Sequence, residues 1–181
     1  PYTTLFRSII SLQTRDPHTL EINRRRNIKT AEYDKLREVF RRKGLPLASQ
    51  LMLGLPGGTV NSFKEDLRHY FDDPIEVQIF RTVMLPNSPM ADPAYRAEHG
   101  IDVDKDGLVL STSSMTAQEI QEMSTLARLF RAVHGYGILR YPLRWLQWEW
   151  GIDPVDLLHA LGRDLERDRK STRLNSSHLG I

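Results

Sequence analysis

Leu51-Met52-Leu53-Gly54-Leu55-Pro56-Gly57-Gly58-Thr59 is the stretch that decides how this chain folds. A short apolar run, Leu51 to Leu53, stops at a Gly/Pro cluster, and Thr59 stands at the N-cap of an amphipathic segment reaching about Asp72. That order predicts a buried strand, a tight turn and a helix. Gly54 and Gly57 let backbone come close to a neighbour at the strand's carboxyl end, where α/β folds place their ligands. Turn geometry alone would ask for the same two glycines.

The pattern repeats on both sides. Upstream, Ile9 to Leu12 is a β-branched apolar run ending in Gln13-Thr14, and Asp16-Pro17 opens a helix as N-cap and first-turn proline. Leu20 and Ile22 supply its apolar contacts, and Arg24-Arg25-Arg26 close it. Thr30 is expected to cap a second helix through about Lys43, with Leu36, Val39 and Phe40 on one face and Gly44 as its stop. Pro46 to Gly54 is the next strand. The helix after Thr59 turns Phe63, Leu67 and Tyr70 or Phe71 inward, and Ile75 to Phe80 is a third strand running on towards Val83-Met-Leu-Pro86. Strand, helix, strand, helix, strand with short turns implies an α/β fold with parallel pairing and right-handed crossovers. Three strands leave open edges, so a larger barrel or sheet is expected.

Beyond Pro86 the character changes. Asp92 to His99 reads as a short helix, Leu108 to Leu110 as a lone strand, and Thr116-Ala-Gln-Glu119 as a capping box opening a helix to about Val133. Leu143 to Trp150 carries three tryptophans, and Asp153-Pro154 starts a last helix expected to bury Leu157, Leu158 and Leu161. The two ends read differently again. Pro1 to Ser8 matches the translation of a common short-read sequencing adapter, and Asp168 to His178 that of its partner. Residues 1–8 and 168–181 are therefore expected to be foreign to the fold, with 9–167 cut from a longer reading frame.

Composition narrows the classes. A 40% hydrophobic content suffices for a core. Arg7, Arg169, Lys170 and Arg173 against Asp168 carry three net positive charges at the ends, so the remainder stands at −1 rather than the +2 of the whole chain. No basic patch for nucleic acid follows from that balance. No apolar run approaches the roughly 18 residues of a membrane span, and a cytoplasmic location is expected. The chain has no cysteine, so neither disulfides nor thiolate ligands can come from its own residues.

Ile10-Ser-Leu-Gln-Thr14, then Leu20 and Asn23-Arg24, then Gln50-Leu-Met-Leu-Gly-Leu-Pro-Gly-Gly-Thr59, resemble the second half of a radical S-adenosylmethionine (SAM) domain. The resemblance is closest to the branch holding oxygen-independent coproporphyrinogen oxidase and the B12-binding radical SAM proteins. It covers about 9–86 with specific motifs and the remainder loosely. It implies the C-terminal half of a partial (β/α)6 barrel over 9–88, followed by a helical appendage over 89–167. It also implies SAM chelating a [4Fe-4S] cluster, cleaved to a 5′-deoxyadenosyl radical, with cobalamin and methyl transfer in the B12-binding branch. The cluster's three cysteines and any cobalamin domain would lie upstream, in a missing N-terminal part of the same chain that is also its expected partner. The fragment alone should be inactive, because thiolates are the usual cluster ligands.

Residue by residue, the resemblance gives Gln13 to the methionine or ribose part of SAM, and Arg24 to the methionine carboxylate with Arg25 as fallback. Gln50 stands where relatives often carry an acid for the ribose hydroxyls. Met52 would lie against adenine, Val83 would offer it backbone groups, and Gly54 and Gly57 would keep the turn close to the ligand. Without the resemblance, Gln13 is a strand-end polar residue and Arg24 to Arg26 a solvated helix face.

Other motifs carry less. Asp102-Val-Asp-Lys-Asp-Gly107 fits the first half of an EF-hand loop, but Ser113 stands where the bidentate Glu is required, and a polar turn is expected. No Gly-Lys-Ser/Thr follows the glycine-rich turn, so it is no phosphate loop. His18, His69, His99, His134 and His159 show no metal-ligand spacing. Trp145, Trp148 and Trp150 are expected to pack the appendage onto the barrel. In the alternative, non-catalytic reading, these tryptophan-bearing helices bind a protein partner.

Overall fold

The computed structural model describes residues 8–26, 30–73 and 75–177, with side chains described outside 30–31 and 169–177. Three strands, β1 (Ser8–Gln13), β2 (Leu47–Leu53) and β3 (Glu76–Arg81), form one sheet in that order, with both pairings parallel. Parallel neighbours need crossovers, and helices supply them. α1 (Pro17–Ile22) and α2 (Thr30–Arg42) link β1 to β2, and α3 (Val60–Phe71) links β2 to β3. The described strands make an open sheet rather than a closed barrel.

Alternation along the strands separates the two faces. Ser49, Leu51 and Leu53 of β2 and Val77 of β3 are buried beneath α3, whose Phe63, Leu67, Tyr70 and Phe71 all turn inward. The other face is more open: register puts Ile9 beside Ala48 and Glu76, Ser11 beside Gln50 and Gln78, and Met52 beside Phe80. Ile9 and Phe80 are about half exposed there, at 49% and 46%. The expected caps form where their geometry is described. Asp16 accepts the Thr19 N–H at 2.9 Å, and Thr59 and Ser62 make a reciprocal capping box on α3. The cap of α2 falls on residues outside those described.

Past β3 the chain makes a 3-10 turn (Pro89–Ala91), α4 (Pro93–Glu98), β4 (Asp102–Val103), β5 (Val109–Ser111), α5 (Ala117–Tyr136), α6 (Arg140–Trp150) and α7 (Pro154–Ser177). α5 lays Ile120, Met123, Leu126 and Phe130 into the same core as the sheet's buried face. α7 crosses α5 closely at Gly162, where a Cβ would come within 3.2 Å of Thr125 Cγ2.

Several expectations need correcting. The strand expected at Leu108 to Leu110 is not alone, since β5 pairs antiparallel with β4, so the segment after Pro86 is not purely helical. Among the described side chains of α2, Tyr33 is buried, at 1%, and Val39 is 46% exposed. Tyr33, Leu36 and Phe40 lie on one i, i+3, i+7 stripe, and Val39 falls one position off it. Leu158 is buried as expected, but Leu161 is 41% exposed. The tryptophans do not pack inward either. Trp145, Trp148 and Trp150 are 54%, 74% and 69% exposed, and the buried residue of α6 is Leu143. The Asp102 to Gly107 stretch is the polar turn expected: Asp104 Oδ1 accepts the N–H groups of Asp106 and Leu108, both at 2.9 Å.

Candidate functional site at the carboxyl ends of the strands

Gln13 ends β1 in an uncommon conformation. Its φ is +63°, the pairing register with β2 shifts between Ser11 and Gln13, and the Thr14 N–H closes back on Leu12 O at 2.8 Å. That is a three-residue turn centred on a non-glycine residue, which costs about 1–2 kcal/mol and persists only when the surroundings hold it. Asp66 of α3 does the holding. Its carboxylate accepts the Thr14 hydroxyl at 2.7 Å and the Arg15 N–H at 2.8 Å. Burial pushes the Asp66 carboxyl up to about 6, against the opposing pull of those two hydrogen bonds. The Gln13 Oε1 acceptor is shielded from solvent and has no hydrogen-bond partner among the described residues. An orphaned buried carbonyl costs free energy unless a ligand or water supplies a donor.

Arg24 lies one helix later, exposed, just past the C-cap Asn23 of α1, and it too has a positive φ of +51°. Asn23 Nδ2 donates to Pro56 O at 2.8 Å and to Thr19 O at 2.7 Å, tying the end of α1 to the Leu55–Gly57 turn. Tyr95 Oη donates to Ile22 O at 3.0 Å from the far side. Gln13, Arg24 and the glycine turn therefore share the carboxyl rim of the sheet.

The remaining candidates are placed less uniformly. Gly54 follows β2 with φ +90° and is buried, and a Cβ there would face Ile120 and Val109. Gly57, at φ +82°, leaves its open side to Ile22 of α1, so what comes close at this glycine is protein. Val83 stands past the end of β3, bridged to Leu108 and 42% exposed. Gln50 is not at a strand tip. It sits mid-strand on the open face opposite Ser11, donating to Gln78 Oε1 at 3.2 Å. Met52 is one pleat nearer the rim, half-buried beside Phe80. The hollow behind the turn, between Met52, Gly54, Thr59 and Asp66, measures about 10 Å³, room for about one water and not for a nucleotide. Larger hollows are about 360 Å³ beside Arg15, Asp16 and Asp66, about 680 Å³ between Arg37, Pro46 and Asp73 at the opposite end of the sheet, and about 550 Å³ along β3 and the end of α5.

Thr14, Asp66 and Tyr95 escaped the reading of the sequence. Asp66 had a signal, since it falls on the same stripe of α3 as Phe63, Leu67 and Tyr70, where an acid must find donors or change its ionisation. Tyr95 had none.

Among the described residues, no cluster of His, Asp or Glu could hold a metal ion, and the whole chain lacks cysteine, so its own residues do not fit an iron–sulfur cluster. They do fit SAM. The orphaned Gln13 acceptor suits an ammonium or ribose hydroxyl, and the exposed Arg24 guanidinium suits a carboxylate. No helix is long and apolar enough to cross a membrane among the described residues.

No family model matches the chain. It is 23% identical over 194 residues to the cobalamin-dependent radical SAM methyltransferase TokK of Streptomyces tokunonensis, a match covering 97% of this chain and 28% of that protein. It is 26% identical over 99 residues to the 2-(S-pantetheinyl)-carbapenam-3-carboxylate methyltransferase of Streptantibioticus cattleyicolor, covering 54% of this chain and 14% of that one. The first match reaches into the terminal stretches set apart above. The chain thus spans less than a third of the length of these curated relatives, and both of them are methyltransferases.

Proposed function

We propose that this chain is the SAM-binding, C-terminal half of a radical SAM barrel belonging to a methyltransferase, with cobalamin and the cluster thiolates supplied by residues outside it. The observation that carries the reading is Gln13, a strained strand-end residue whose buried carbonyl oxygen has no partner among the described residues, beside the Gly-Leu-Pro-Gly-Gly-Thr turn. Strain and an unmet acceptor are costs that a bound donor offsets. The relatives' names support the reaction class.

In this reading Gln13 Oε1 accepts from the ammonium or ribose of SAM, and Arg24 pairs with the carboxylate. Gln50, already bonded to Gln78, presents its amide to the ribose hydroxyls, while Met52 and Val83 border the adenine. Bound SAM would supply radical chemistry, with the cluster and the electron it donates held by residues outside this chain. The part these residues play is to orient the sulfonium nucleotide along the open face and exclude water from it. The methyl acceptor would be bound by segments outside this chain, and a cytoplasmic location fits the reading.

Saturation-transfer NMR on the 181-residue chain, which registers ligands binding as weakly as about 1 mM, tests the proposal. Saturable SAM binding that Gln13→Ala removes is the expected result. Binding that is absent, or indifferent to Gln13, overturns it.

A second reading has one observation in its favour. Tyr141, Trp145 and Trp148 follow i, i+4, i+7 spacing on α6 and are all more than half exposed. Clustered exposed aromatics mark interaction surfaces. In that reading the chain is a non-catalytic interaction module and binds no nucleotide.

A further inference from the structure

Arg24 adopts φ +51° at the end of a helix of six residues. Neither feature sustains itself. A left-handed non-glycine residue is unfavourable, and a six-residue helix is marginal in water. The last carbonyls of a helix also need partners from outside it. Local closure supplies part of the support: the Arg24 N–H donates to Glu21 O and the Arg25 N–H to Leu20 O, each at 2.9 Å. Asn23 supplies another part through Pro56 O. The carbonyl of Ile22, two residues before Arg24, is taken by Tyr95 Oη of α4 at 3.0 Å.

Tyr95 is built for a fixed position. It is buried to 9% exposure, its ring meets His99 edge-on at 4.3 Å, and its own N–H donates to the α4 N-cap Asp92 at 2.9 Å. Burial pushes its hydroxyl up, and the positive charge of Arg24 pulls it back, so the guanidinium lies close enough to be felt. α4 belongs to the segment after the sheet and is separated from Arg24 by α2, β2, α3 and β3 along the chain.

We infer that Tyr95 is a positioning residue: by holding Ile22 O it fixes the left-handed Asn23–Arg24 corner, so that Arg24 meets the carboxylate of SAM in one geometry. The inference rests on the SAM-binding reading given above. It assigns a ligand-aligning role to the region downstream of the sheet, with no contact between Tyr95 and the ligand itself.

Two ligands separate alignment from general support. SAM carries the carboxylate, and 5′-deoxy-5′-methylthioadenosine has the same nucleoside without it. Their dissociation constants are measured by titration on the full 181-residue chain, on Tyr95→Phe, on Arg24→Ala and on the double variant, with circular dichroism as a check on folding. Tyr95→Phe keeps the ring and deletes the hydroxyl.

The expected result is SAM affinity about five- to tenfold weaker in Tyr95→Phe, with the methylthioadenosine affinity unchanged. Arg24→Ala loses more, and Tyr95→Phe adds nothing on top of it. Equal weakening of both ligands makes Tyr95 a general support and overturns the inference. Loss in Arg24→Ala without loss in Tyr95→Phe also overturns it, leaving the SAM reading intact. A parent chain that binds neither ligand ends both.

Discussion

Replacing Asp66 by Asn should remove a pH-dependent contribution to stability whose sign is opposite to that of most acidic residues. The carboxyl is raised from an ordinary 3.8 to about 6 because burial outweighs the donors Thr14 and Arg15. An acid with a raised folded value stabilises the fold in its protonated form. That contribution is complete below about 3.8 and is lost as the pH climbs through about 6. At about 1.4 kcal/mol per pH unit, the interval corresponds to about 3 kcal/mol. Asn mimics the protonated acid, with Oδ1 accepting from the Arg15 N–H and Nδ2 donating to the Thr14 hydroxyl. Urea unfolding at about pH 4 and about pH 7.5 gives the two free energies. Subtracting the variant from the parent at each pH cancels titration elsewhere, including His69, whose ring burial holds below its usual value. The parent should lose about 2–3 kcal/mol relative to Asp66→Asn between the two conditions. A gap that stays constant, or that moves in the parent's favour as the pH rises, would refute the reasoning.

Other substitutions test other parts of the structure. Gly57→Ala places a methyl group against Ile22 at φ +82° and should cost about 1–3 kcal/mol, read from the urea midpoint; an unchanged midpoint would mean that α1 does not pack there as described. Gln13→Gly relieves the φ of +63° and removes the unpartnered oxygen, so it should raise stability by about 0.5–1 kcal/mol while abolishing SAM binding. A loss of stability would show that the Gln13 side chain is part of the core. Trp145→Ser together with Trp148→Ser should leave the unfolding free energy within about 0.5 kcal/mol of the parent, since both rings face solvent; a large drop in melting temperature would contradict their exposure.

The sheet was legible because its signals are local. Alternating strands and helices with short turns allow little besides parallel pairing, and the inward stripe of α3 follows from the 3.6-residue period. Side-chain destinations at longer range were not legible. Trp145, Trp148 and Trp150 carry the composition of a core, yet α6 turns Leu143 inward and leaves them facing solvent. Gln50 matches a motif position, but β2 continues past it to Leu53, which leaves it mid-strand against Gln78 rather than at the rim. Tyr95 resembles any short-helix aromatic until the fold brings its hydroxyl to Ile22, 73 residues away in sequence. A periodic pattern states which side of an element is apolar; it does not say what stands opposite.

The absence of any hairpin between the three sheet strands bears on how the chain acquires its shape. β1 and β2 are separated by 33 residues, and β2 and β3 by 22. Loop-closure entropy distinguishes those spans by only about 0.4 kcal/mol, too little to set the order of events. The intervening helices set it instead. α3 arrives with its own capping box and a full inward stripe, while α1 relies on partners from β2's turn and from α4. The β2–α3–β3 unit should therefore nucleate folding, and the corner bearing Gln13 and Arg24 should be among the last parts to become ordered.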